Sequence, residues 1–165
     1  MRLNRQLMGL SKRLEEISVA VPKKIPRVVI DTNIFVSGLI SSAQSPPVKI
    51  LNAVKDKKII HIVSDPIVEE YLRVLDYPRI RKFNKITDEF VRDIAAYLIH
   101  WTERVEVVSH IKKSQDPDDD IFLETAVDGT AALLITGDKA DLLHFGEIQG
   151  IPVVSAAEAV QRLKL

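Results

Sequence analysis

Along the chain, short runs of β-branched and apolar residues alternate with longer stretches in which apolar positions recur at steps of three and four. The short runs predict strands at 28–30, 59–63, 105–108, 133–135 and 153–154. The longer stretches open on recognisable start signals: Ser45-Pro46-Pro47, Asp65-Pro66, Thr87 ahead of a run to Trp101, Asp116-Pro117, and Ser155 with Glu158 three positions on. The strands read as continuous apolar runs and not as alternating ones. That pattern belongs to an α/β domain whose mostly parallel sheet is covered on both faces. No internal repeat or low-complexity tract interrupts it.

Residues 1–26 carry a different pattern. Leu3, Leu7, Leu10, Leu14, Ile17 and Val21 recur at steps of four and three, which predicts an amphipathic helix with a heptad-like seam and a basic opposite side. It ends in a linker from Pro22 to Pro26, so the expected division is 1–26 for this helix and linker and 27–165 for the folded domain. Such a stripe has to be buried, against its own domain, in a dimer, or on a separate partner. Glu15 and Glu16 break the basic side and argue against a membrane surface.

Composition narrows the class. A chain of 165 residues supports one domain, able to bury roughly 70% of the surface its unfolded form exposes. With 46% hydrophobic and 28% charged residues it lacks the depletion of apolar residues that marks disorder. The absence of cysteine excludes disulfides and thiolate zinc sites, and His61, His100, His110 and His144 show no ligand spacing. There is no apolar run long enough to span a membrane and no secretory signal, so the expectation is a cytoplasmic protein without a membrane partner. Zero net charge hides a division: acids concentrate in "DPDDD", whereas "VKDKK", "YPRIRKFNK" and "HIKK" are basic. This division suggests a negative pocket with a positive rim.

Carboxylates fall at informative places. Asp31-Thr32-Asn33 follows the first strand, and ligands of open α/β sheets bind beyond the carboxyl ends of strands. On the helix after the second strand, Glu70 borders the apolar arc, whereas Glu69 faces outward beside Arg73. Four aspartates lie between Asp116 and Asp120, and the fourth strand runs into Thr136-Gly137-Asp138. Helix capping accounts for one or two of the four. Like charges about 5 Å apart repel by about 3 kcal/mol at an effective dielectric near 20, so the rest need a counter-charge or a use. Oxygen donors without cysteine or paired histidines select Mg²⁺ or Mn²⁺, ions that activate water and stabilise charge on a phosphodiester. Thr32, Asn33 and Thr136 can orient waters or phosphate oxygens.

Taken in order, "VVIDTNIFVSGLIS", "VSDPIVEEYLRVL", "DPDDDIFLETA" and "LLITGDKADLL" resemble the PIN-domain family, in particular its VapC-like toxin branch, over 27–155. The resemblance implies a three-layer α/β/α sandwich with a mostly parallel central sheet and Mg²⁺- or Mn²⁺-dependent ribonuclease activity on RNA. It also implies a homodimer and a cognate antitoxin. Carried over by position, it implies Asp31, Glu70, Asp119 and Asp138 as catalytic residues, with Asp116 joining Asp31, Asp119 and Asp138 as metal ligands. Related sequences place an acid directly after the lysine that follows the last motif; here Ala140 separates Lys139 from Asp141. Two readings stand beside the endoribonuclease. One is a phosphoacceptor or phosphohydrolase with Asp31 as nucleophile, against which Asn33 stands where a second aspartate is usual. The other is a non-catalytic binding module with the same fold.

Overall fold

The computed structural model describes residues 24–165 apart from 42–43, 84, 115 and 139–141. The expected N-terminal helix and Asp141 therefore lie outside the described residues. The described chain forms a six-stranded sheet in the order β3-β2-β1-β4-β6-β5. Its strands are β1 (Arg27–Ile30), β2 (Ile60–Val63), β3 (Thr102–Arg104), β4 (Leu133–Ile135), β5 (Glu147–Ile148) and β6 (Ile151–Val154). All neighbours run parallel except β5 and β6, a hairpin at one edge. The helices are α1 (Thr32–Ile40), α2 (Pro46–Lys55), α3 (Asp65–Leu75), α4 (Pro78–Arg81), α5 (Asp88–His100), α6 (Pro117–Asp128) and α7 (Ala156–Leu163), with a 3₁₀ turn at Leu142–Phe145. This is an α/β sandwich built on a mostly parallel sheet.

The start signals act as read. Thr87 and Ser155 accept hydrogen bonds from Phe90 N–H and Glu158 N–H, and prolines occupy the first turns of α2, α3 and α6. Val28, Val29, Ile30, Ile62, Val63, Leu134 and Ile135 are buried on both faces of the sheet. On one side, Phe35 of α1 stacks on Tyr71 of α3 with ring centroids 4.1 Å apart. α3 buries Ile67, Tyr71, Val74 and Leu75, as its apolar arc predicts.

The third strand departs from expectation: it lies at Thr102–Arg104, and 105–108 forms no strand beyond the bond from Val105 N–H to the Val63 carbonyl. From Val108 onward the backbone donors go to side chains of α6 and not to a neighbouring strand. Asp128 accepts from Val108 and Ser109 N–H at 2.7 and 2.8 Å, Glu124 from Ile111 N–H at 2.9 Å, and Asp120 from Lys113 and Ser114 N–H at 3.1 and 2.9 Å. Spaced four apart, these acids form one ladder along α6 that holds 108–114 against the helix and, of the expected strand, takes the donor of Val108.

Candidate active site

Parallel pairing decides which side chains meet. β1 and β4 align Val28 with Leu133 and Ile30 with Ile135, so the next residues on each strand, Asp31 and Thr136, come side by side. Thr136 donates its hydroxyl to Asp31 Oδ2 at 2.7 Å, Gly137 N–H lies 3.4 Å from the same oxygen, and Asp138 N–H donates to Thr136 Oγ1 at 3.0 Å. Asp31 also caps α1 by accepting from Asn33 N–H at 3.2 Å. It is 3% exposed, and among the described residues no cation pairs with it. Burial pushes its carboxyl pKa up, Thr136 and the two backbone donors pull it down, and the charge of Asp138 adds to the rise. Thr32 Oγ1, beside it, is buried without a hydrogen-bond partner among the described residues. Asn33 is exposed at the mouth.

The second and third motifs meet on the neighbouring flank. Glu70 is half-buried on α3, and Arg73, one turn on, pairs with it while also reaching Asp118 Oδ2 at 3.3 Å. Pro66, Glu69, Glu70, Arg73, Asp118 and Ile121 line a cavity of about 220 Å³ there. The expectation that Arg73 sits beside Glu69 is corrected: its partner is Glu70, three residues back on the same helix face.

The four aspartates separate by task. Asp116 caps α6 through Asp118 N–H at 3.0 Å, Asp118 has Arg73 as counter-charge, and Asp120 is buried as the first rung of the ladder. Asp119 is half-buried in the first turn, its N–H donating to the Asp116 carbonyl at 2.9 Å. Thus Asp31, Thr136 and Asp138 converge directly, while Glu70 and Asp119 stand on the adjoining helices. Among the described residues no three His, Asp or Glu side chains are drawn together tightly enough to hold one ion as they stand.

The positive rim is also corrected in part. Lys57 and Lys58 of "VKDKK" fall at the opposite end of the sheet, because α2 carries the chain back to where β2 begins. Arg81 of "YPRIRKFNK" is spent on Asp76 and Asp88 at 2.9 and 2.8 Å. Two contacts at the strand ends escape sequence reasoning. Ser64, buried after β2, accepts from Thr125 of α6 at 2.7 Å, and Tyr71 donates to the Ile30 carbonyl, pinning α3 to the strand that ends in Asp31. A hydroxyl pair 61 residues apart leaves no local signal.

An α/β sandwich with a buried acid where β1 gives way to α1 defines the class, and comparison of the sequence with family models makes it specific. The PIN domain model matches residues 27–140, and the chain belongs to that family. An uncharacterized protein of Methanocaldococcus jannaschii is 31% identical over 117 residues, covering 68% of this chain and 71% of that one. Among solved structures, VapBC2 from Rickettsia felis, bound to a DNA fragment from its promoter, superposes with a TM-score of 0.50 at 13% identity. That match covers 78% of this chain and 98% of that one. The PIN domain endonuclease Utp24 gives a TM-score of 0.44 at 23% identity, over 78% and 84% of the two chains.

Proposed function

We propose that this protein is a metal-dependent endoribonuclease that hydrolyses RNA phosphodiesters with water as the nucleophile. The observation that carries the reading is the buried carboxyl of Asp31, without a cation partner among the described residues and set against Asp138 at the carboxyl end of the sheet. PIN domains are generally nucleases, and this is where their chemistry needs negative charge. A hard dication fits the donor set: only oxygens are available, and a buried acid raised by burial and by a neighbouring acid gains from a positive ion. Asp31, Asp138, Asp119 and Asp116 are the residues that would hold Mg²⁺ or Mn²⁺. Bound there, the ion would lower the pKa of a water and offset charge on the phosphodiester. Thr136 holds Asp31 in one orientation, and the Thr32 hydroxyl and the exposed Asn33 amide supply neutral hydrogen bonds for a water or a phosphate oxygen. Glu70 is the acid proposed to accept a proton from the attacking water, once its carboxylate exchanges Arg73 for the site. The likeness of the motifs to the VapC-like branch extends the proposal to a toxin with a cognate antitoxin, acting as a homodimer.

Digestion of end-labelled RNA with Mn²⁺, with Mg²⁺ and with EDTA tests the activity. Cleavage is expected with either ion and not with EDTA. Asp31→Asn and Glu70→Gln should each lower the rate by at least about a hundredfold, and Glu69→Gln should leave it nearly unchanged. Equal losses at positions 69 and 70 would overturn the role of Glu70, and cleavage persisting in EDTA would overturn metal dependence. Beryllofluoride trapping of Asp31 would favour the phosphoacceptor instead. The antitoxin is tested by whether the adjoining reading frame encodes a small DNA-binding protein that co-purifies with this chain.

A further inference from the structure

At the end of the sheet opposite Asp31, the starts of β1, β2 and β3 leave an apolar groove of about 360 Å³. Ile25, Val54, Ile59, Ile60 and Trp101 line it. Two of these large side chains remain open to water, Ile25 at 41% and Trp101 at 45% exposed, with Lys57 Nζ 6.0 Å from the indole ring. A half-exposed indole beside a second exposed apolar side chain on an apolar groove marks a surface suited to an apolar partner.

We propose that the occupant is the apolar stripe of residues 1–23 of the same chain, laid across this end of the sheet. Continuity is the first argument. Ile25 lines the groove, so the described residues start at its rim. Length is the second. As the helix its sequence predicts, the stretch from Leu3 to Val21 reaches about 27 Å at 1.5 Å per residue. The groove lies over β1, β2 and β3, about 10 Å at a strand spacing near 4.8 Å, which such a helix more than spans. Polarity is the third. Lys57 and Glu103 stand among the groove's lining residues and Lys58 and Lys164 line an adjoining hollow, while Ile25, Val54, Ile59, Ile60 and Trp101 give the groove an apolar surface that takes an apolar stripe. On a helical wheel Leu3, Leu7, Leu10, Leu14, Ile17 and Val21 fall within one arc, with Arg5 and Lys12 opposite it and Arg2 and Arg13 on its flank. The short tether favours cis over trans, because a segment joined through a few residues that reach its groove meets it at an effective concentration in the millimolar range. Docking there leaves the acidic end of the sheet open, and the proposal stands independently of the nuclease reading.

Trp101 is the only tryptophan, so its fluorescence in the full-length chain reports the groove directly. Acrylamide quenching of the wild type should be roughly two-fold weaker than that of a Leu10→Asp/Leu14→Asp variant, as expected when an indole passes from buried to half-exposed. A Lys12→Asp control, off the stripe, should quench like the wild type. The shielding should not change on dilution. Equal quenching of the wild type and the stripe variant would overturn docking. Shielding lost on dilution together with a fall in mass would assign the groove to a second copy and overturn the cis arrangement. The chain has no cysteine, which permits a second measurement that does not depend on disrupting the stripe. Cysteine introduced at Leu10, Leu14 or Ile17, one at a time, is paired with His100→Cys on the groove wall. At least one pair should oxidise to a disulfide within a single chain, and bridges formed only between chains, or none, would overturn the proposal.

Discussion

His61 is wholly buried, its Nε2 3.2 Å from the Tyr71 hydroxyl, and burial holds its pKa down to about 3. The unfolded chain takes up the imidazole proton near pH 6.5 while the folded one refuses it until about pH 3. Stability should therefore fall as pH drops through that window, by up to about 1.4 kcal/mol per pH unit from this group. Urea unfolding between pH 7 and 5 should show that slope, and His61→Gln should flatten it whatever its effect on absolute stability. Asp31 works in the opposite direction. Its raised folded pKa means that its contribution is fullest below the unfolded value of about 3.9 and is lost as pH rises through the folded value. Asparagine can still cap α1, so Asp31→Asn should stabilise the metal-free protein at neutral pH. The gain should vanish below about pH 4 in the same titration. A variant destabilised at neutral pH would mean that the hydrogen bond from Thr136 outweighs the cost of the buried charge.

At the scale of elements, α6 shows how one helix can serve two ends. Its first turn supplies the candidate Asp119, and the face bearing Asp120, Glu124 and Asp128 anchors the crossing segment that leads into it. Asp128 accepts three hydrogen bonds, and those from the Ser109 hydroxyl and backbone hold its pKa below the usual range. Its stabilisation is thus present above the unfolded pKa and lost as pH falls through the lower folded one. Asp128→Ala leaves those donors to water and should cost about 1–2 kcal/mol at pH 7. A melting temperature lower by about 2–8 °C would follow. The difference should shrink as pH falls below the unfolded value of about 3.9 and on through the lower folded one, and a difference unchanged across that fall would show that the carboxylate charge is not what holds the segment. Because that segment runs directly into α6, loosening it should also weaken whatever Asp119 binds.

For the whole molecule, the acidic end of the sheet is expected to cost stability when no ion is bound and to return it when one is. Mn²⁺ at a hundred times its dissociation constant should stabilise the folded state by about 2.7 kcal/mol, which raises the melting temperature by about 5–10 °C for a chain of this size. A thermal shift across a Mn²⁺ titration reads this without any RNA. Asp31→Asn should lose most of the shift, and an unchanged midpoint for the wild type would remove the metal from the proposal.

Local periodicity and capping chemistry sufficed for much of this protein. The apolar runs of β1, β2 and β4, the starts of α2, α3, α5, α6 and α7, and the position of Asp31 and Asp138 just past their strands all follow from neighbouring residues. Such signals act within a turn or a strand, at spacings the backbone itself sets. What each acid does was decided by residues far away. Thr136 reaches Asp31 across 105 positions, Asp118 shares Arg73 with Glu70 across 45, and Asp128 takes donors 19 and 20 residues earlier, of which Val108 N–H was expected in a strand. A carboxylate in a sequence carries only its charge. Whether it caps, pairs, anchors or remains buried against another acid depends on which donors and cations the packed sheet brings within about 3 Å.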